Sequence, residues 1–540
     1  MNLGLLFYLF LASVTVLNIS AESSDSRNRT YLLVNSNVED SEKIARYYSE
    51  KRGIPSENIL RLDITDKEEI SIDEYVKQIH NPLLKLLLDK KVVYGLIDPS
   101  RDEVNRLKMS VVSHSIDYLI LTKGIPLKFT RLIDENASPK SYINSMNKDQ
   151  SSVDSEISAM LFNRFNQLDG YVPNAFFSKS ISSQRKSPIV RVSRLEAPKL
   201  ESVFRLIDDS IRAETNGLMG RAYFDLGGPH KEGNEWLKES AEIARLLNFD
   251  TEIEASRNNF DFTHRVDAPA IYMGWYLSNI KGQWKSPLVS YPAGSIGYHL
   301  HSFSAASLKN PNKGWVAGLI ENGFSASFGY VYEPFLALTV RPNLFLEALG
   351  DGSSLGEAYY YANPVLSWQS ILIGDPHYRP FKTSRDEKLH KKVKLPFHNY
   401  FYLNKYYEDL KTLGIEKAIL NAKENLKDHF SYALLLKLSE VLISEERIGE
   451  SVELLKTVSY KKTLKIEEIV IVSMIADLLN EYGHSERSLK LYYNLIFRHK
   501  LPRKLEIKLL NSALLISNEV NDKKMFEKIT NRLNHFDTGG

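Results

Sequence analysis

The chain has no cysteine among its 540 residues. That absence excludes disulfides, a thiolate nucleophile, zinc–thiolate centres and a lipidated N-terminal cysteine, so stability must come from packing alone. No run after the first twenty or so residues is long and apolar enough to span a bilayer. Excess charge of one sign is missing too: 69 Lys and Arg stand against 67 Asp and Glu. A net charge of +2 gives no electrostatic reason to expect nucleic acid or an anionic membrane as partner.

What is present begins with Leu3 to Leu17, almost wholly apolar, followed by Asn18-Ile19-Ser20-Ala21 and the polar run Glu22 to Ser26. That stretch falls short of the ~20 residues a membrane span needs, and it reads as a signal peptide over 1–21. The protein is therefore expected to be exported, to the periplasm or beyond. The first residues carry no Lys or Arg, so an uncleaved anchor stays open as the alternative.

Tyr31 to Asn35 reads as a buried strand, Glu39 to Gly53 as a helix capped by glycine, and Ile59 to Leu62 as a second strand, a parallel crossover unit. A helix over Ile72 to Leu88 and a strand over Ile116 to Thr122 continue the alternation. Asp134 to Ser155 is polar and is expected to be a surface loop. Further strand signals lie at Ile189–Val192, Arg221–Asp225, Ala270–Met273, Gly294–Leu300 and Phe324–Phe328, with helices at Pro198–Glu214 and Trp236–Leu247. The pattern predicts a doubly wound α/β region, as two subdomains over 30–185 and 186–381 or as one extended sheet. A charged linker over 382–399 then leads to helical periodicity over 400–540. Three helix pairs can be drawn there, and Ala476 and Ala513 recur 37 residues apart. That spacing is near the ~34 residues of helical-hairpin repeats, with an irregular bundle as the alternative.

Ligands of open α/β sheets bind beyond the carboxyl ends of the strands. Three segments follow such ends here: Tyr272-Met273-Gly274-Trp275-Tyr276, Tyr298-His299-Leu300-His301-Ser302, and Gly323 to Gly329 with Tyr330 to Glu333. Leu355-Gly356-Glu357-Ala358 and Ile373-Gly374-Asp375-Pro376 come next. In this order they resemble the gingipain-type cysteine peptidases of the caspase-like clan. The resemblance runs from about Tyr31 to Phe381 and implies a caspase-like two-subdomain fold there, ahead of the all-α, repeat-like domain read from periodicity. It also implies a base and a nucleophile on consecutive turns, where this chain carries Trp275 and Ser302. The Cys–His dyad is absent, so the peptidase mechanism does not carry over. Tyr47-Tyr48, Lys51 to Pro55, Tyr298 to Ala305 and Gly374-Asp375-Pro376 further resemble an uncharacterised secreted bacterial family found in genomes that encode exosortases.

The candidate chemistry follows from these positions. Ser302 or Ser304 with His301 would make a serine hydrolase, although neighbours on a strand face opposite ways. His299 and His301, two apart, would share a strand face and could hold a single divalent metal with Glu333 or Asp225. Packed, hydrogen-bonded histidines are the plainer reading, and no cofactor is expected on it. Trp275, Tyr276 and Tyr332, from an aromatic set that also holds Trp284, Trp315 and Tyr330, are candidate binding residues together with Glu333 and Asp375. Asp154 and Glu156 are expected to share a strand face or cap a helix near Ser155. The function expected is an inactive or repurposed peptidase-like domain binding a polypeptide or envelope component, with a helical tail for protein contacts. A serine- or metal-dependent hydrolase is the alternative.

Overall fold

The computed structural model describes residues 26–130, 150–162, 170–179, 187–256, 259–286, 289–381, 397–458 and 464–537. The expected signal segment and residues 382–396 of the expected linker lie outside them. The strands that place the site are β1 (Thr30–Asn35), β2 (Ile59–Leu62), β3 (Val93–Arg101), β4 (Leu107–His114), β5 (Tyr118–Thr122), β6 (Arg191–Leu195), β7 (Arg221–Asp225), β8 (Asp250–Glu254), β9 (Pro269–Gly274), β10 (Ile296–His299), β11 (Ala326–Tyr330) and β12 (Ser370–Ile373). All but β3 and β4 join one sheet in the order β8-β7-β9-β10-β11-β12-β6-β5-β1-β2.

Continuous apolar runs build this sheet because both of its faces are covered. In β1, Leu32 and Val34 enter one apolar cluster while Tyr31 and Leu33 enter another, the period-2 alternation of a strand buried on both sides. Helices α1 (Glu39–Arg52), α2 (Leu200–Asn216), α3 (Lys231–Leu246) and α4 (Val316–Asn322) supply part of that cover. Gly53 ends α1 at φ 67° and donates its N–H to Ser49 O, a left-handed cap that glycine takes without steric cost. The expected helix over 72–88 is interrupted by a π-helical turn at Val76–His80, just ahead of Pro82.

Strands β1, β2, β5 and β6 run parallel to one another, as do β7 to β11. Their carboxyl ends share one edge: Glu68, after β2, accepts from Ser307 Oγ at 2.7 Å, after β10, and Tyr332, after β11, donates to Glu69 at 2.9 Å. Strand β12 is antiparallel to β11. It meets β6 through a single bridge of parallel pattern, Arg194 with Ile373. Its course is nevertheless opposite to that of β6. Trp368 and Ser370 at its start bond Ser152 beyond β5, whereas Asp375 and His377 past its end reach Tyr48 and Thr30 at the other edge. The two expected subdomains are thus joined in one sheet.

Of the segment expected to be a loop, residues 134–149 lie outside the described residues, and its end forms a short strand, Gln150–Ser152, and a helix, Val153–Ser158. The cap of that helix is Ser152, whose Oγ accepts from Ser155 N. Asp154 and Glu156 do not cap it: they are buried against Arg194 (2.6 Å) and Arg106 (3.2 Å).

After residue 397 the chain is helical: α5 (His398–Leu413), α6 (Ile415–Asp428), α7 (Tyr432–Ser444), α8 (Ile448–Lys456), α9 (Ile466–Glu481), α10 (Ser485–Arg498), α11 (Arg503–Glu519) and α12 (Lys523–Asp537). Ser451 Oγ donates to Ser439 O at 3.0 Å, and 37 residues on Ser488 Oγ donates to Ala476 O at 2.6 Å. The pairs α7/α8 and α9/α10 therefore repeat, with left-handed residues at Glu446 and Gly483 in their turns. The first helix of each pair faces the α/β region. Tyr400 donates to Asp267 at 2.7 Å, Lys437 pairs with Asp250 at 3.3 Å, and Lys508 donates to Thr263 O at 2.9 Å. Asp250 and Asp267 also pair with Arg221, so the helices seat on the amino edge of β7, β8 and β9.

Candidate functional site

The carboxyl edge of β9, β10 and β11 carries most of the residues singled out in the sequence. Gly274 pairs with His299 across β9 and β10, and Leu300 N donates to Gly274 O at 2.7 Å. Trp275 and Ser302 thus follow neighbouring parallel strands at one edge. Their surroundings differ sharply.

Trp275 is buried, and its indole N–H donates to Asn234 Oδ1 at 2.7 Å. A Cβ at Gly228 would fall 1.6 Å from its ring, and one at Gly233 2.2 Å from it. The indole therefore fills the space in front of α3 that two glycines leave open, and it lines no groove. Of the aromatic set only Tyr276 is exposed; Trp284, Trp315 and Tyr330 are interior, and Tyr332 is buried with its hydroxyl on Glu69 and Lys128 Nζ 4.6 Å from its ring centre.

His299 is wholly committed. Its Nε2 accepts the Leu277 N–H at 2.9 Å, so the proton sits on Nδ1, which donates to Tyr272 Oη at 2.8 Å. The ring stacks on Trp315 at 3.6 Å and 9°. Burial, aided by the nearby His301, holds its pKa well below that of a free histidine, and it stays neutral. His301 has left the strand, which ends at His299, so the strand-face spacing expected to align the two rings does not reach it. It is half-buried, its Nδ1 meets the Ser302 carbonyl at 2.5 Å, and its ring lies 4.8 Å from Tyr276. Among the described residues no group of three His, Asp or Glu side chains could hold a metal ion.

Ser304 is buried, its Oγ accepting from Tyr330 N at 3.1 Å while its carbonyl accepts from Trp315 N and Val316 N at the start of α4. That hydroxyl faces inward as a structural acceptor. Ser302 is half-buried and its hydroxyl makes no hydrogen bond to a described residue. Between them Phe303 sits at φ 57°, 45% exposed, its N–H on Tyr332 O at 2.9 Å. A bulky residue held in the left-handed region costs on the order of 1 to 3 kcal/mol, strain that concentrates at functional positions. Sequence patterning could not reveal it, since Phe303 carries no turn signature. Glu333, half-buried, follows Tyr332 beside it.

Two acidic candidates lie elsewhere. Asp375 is fully buried at the opposite edge, where Tyr48 Oη donates to it at 2.6 Å and Arg52 pairs with it, tying α1 to β12. It shares no surface with Tyr276 or Glu333. Asp225 ends β7 beneath the carboxyl edge, 1% exposed, with one oxygen 3.4 Å from Gly227 N and the other without a hydrogen bond. Burial, with the Glu254 charge adding to it, raises its pKa to about 7.

Tyr276, His301, Ser302, Phe303 and Glu333 thus form a contiguous outer patch of aromatic and polar groups. No nucleophile, base and acid are hydrogen-bonded in series within it. Comparison of the chain with family models, curated proteins and solved structures finds no match.

Proposed function

We propose that this edge is a recognition surface for a polypeptide or envelope component, in an exported protein whose caspase-like layout serves binding instead of hydrolysis. The observation that carries the reading is His299. The imidazole at the end of β10 has both nitrogens bonded and a ring closed off by Trp315, so it can neither take a proton from a substrate nor bind a metal. Outside it, Tyr276 and Phe303 offer rigid aromatic area flanked by Ser302 and Glu333, a composition suited to peptide contact. The helical tail, whose first helices hold the amino edge of the sheet, leaves this opposite edge open.

A serine hydrolase built on Ser302 is the competing reading, favoured by the unbonded hydroxyl next to a strained residue. One experiment separates them. The purified chain is screened for binding to an immobilised peptide library and for turnover of the same peptides. Binding weakened about tenfold or more by Phe303→Ala, with no turnover, is the expected outcome. Turnover abolished by Ser302→Ala sinks the binding reading.

A further inference from the structure

Strands β3 and β4 form an antiparallel ribbon that joins no other strand among the described residues. One face packs inward through Val93 and Met109, which join the apolar cluster that also takes Leu83, Leu84 and Leu87, while Ile97 opposite Met109 stays 51% exposed. The other face sets Tyr94 beside Ser113, Leu96 beside Ser110 and Asp98 beside Lys108. Tyr94 is 52% exposed and Leu96 75%, and the bulge at Tyr94/Gly95 leaves Val112 76% exposed. Scattered apolar side chains on a surface are ordinary, but a row of them on a two-stranded ribbon asks for cover. Pro99 and two bulges spoil the edges for strand addition, which leaves the face as the surface available.

We propose that this face is the interface with a second copy of the chain, packed face to face about a two-fold axis running along the ribbon between its strands. Such an axis lays β3 of one copy over β4 of the other. On this face the three pairs across the ribbon each join a large side chain to a small one or an acid to a base, so the rotation matches each to its complement. Tyr94 meets Ser113 of the partner subunit, Leu96 meets Ser110 of the partner subunit, and Asp98 meets Lys108 of the partner subunit. This is the self-complementarity that an isologous contact requires. The ribbon is electrically neutral from Val93 to His114, with Asp98, Asp102 and Glu103 balanced by Arg101, Arg106 and Lys108, which argues against an anionic membrane as the cover.

Sedimentation equilibrium of the purified full chain tests the proposal. The chain is expected to dimerise reversibly at roughly micromolar concentrations, and Leu96→Lys to raise the dissociation constant at least about tenfold with its melting curve retained. Asp98→Lys and Lys108→Asp, each self-repelling, are expected to weaken self-association and to dimerise with one another when mixed in equal amounts. A defect confined to one ribbon would not be repaired by mixing. A chain that stays monomeric up to about 100 μM, a dimer indifferent to Leu96→Lys, or two charge variants that fail to associate would each overturn it.

Discussion

Asp225 shows how a single side chain can work against the stability of its own fold. Its folded pKa, raised to about 7, lies above the ordinary value of 3.8, so the folded chain holds a proton that the unfolded chain releases once the pH passes about 4. Stability is therefore lost as the pH rises from about 4 to about 7 and changes no further from this group above that. At about 1.4 kcal/mol per pH unit the loss is on the order of 4 kcal/mol. Asp225→Asn keeps an acceptor for Gly227 N and removes the titration. Thermal melts should show the variant more stable than the parent at pH 8, with the difference shrinking toward pH 4. Equal pH profiles for the two proteins would mean that water already solvates the carboxylate.

At the scale of elements, local pattern was a good guide wherever the signal was continuous. The strands at Tyr31, Ile59, Arg221 and Ala270, the α1 helix with its Gly53 cap, and three of the C-terminal helix pairs stand close to where periodicity puts them. The ribbon of β3 and β4 was not legible, because Asp98-Pro99-Ser100-Arg101 and the charges that follow mimic a loop while the pairing depends on a partner strand. The packing of α3 was equally hidden: Gly228 and Gly233 look like turn and helix-weakening residues until Trp275 is seen against them. Trp275→Ala should leave a cavity under α3 and lower the unfolding free energy by about 3 to 5 kcal/mol in urea titrations. A cost below about 1 kcal/mol would show that α3 collapses into the space.

For the whole molecule, the helical region is fastened to the sheet by buried polar groups as well as apolar contact. Arg221 is held between Asp250 and Asp267, and Tyr400 and Lys437 complete the coordination of those carboxylates from the helices. Met219 and Ala268 belong to the same apolar cluster as the helices. The linker composition suggests that residues 22–385 could stand alone; the interface predicts otherwise. That fragment should aggregate or melt well below the full chain in size-exclusion and calorimetric measurements, because it exposes two carboxylates and the apolar floor beneath them. Cooperative unfolding of the fragment at the temperature of the full chain would show that the interface contributes little.

The sequence by itself determined the local elements, the absence of thiol chemistry, the helical C-terminal region and the segments that would meet at a sheet edge. These follow from composition and from periods of two and 3.6 residues, which neighbours along the chain are enough to set. Only the tertiary structure decided which members of those segments face outward. His299 is closed by Tyr272, Leu277 and Trp315, Trp275 by two glycines more than forty residues earlier, and Asp375 by Tyr48, 327 residues away. Burial and bonding of that kind depend on contacts between distant parts of the chain. A side chain's type states what it can bond, and only its folded neighbours decide whether that capacity is already spent.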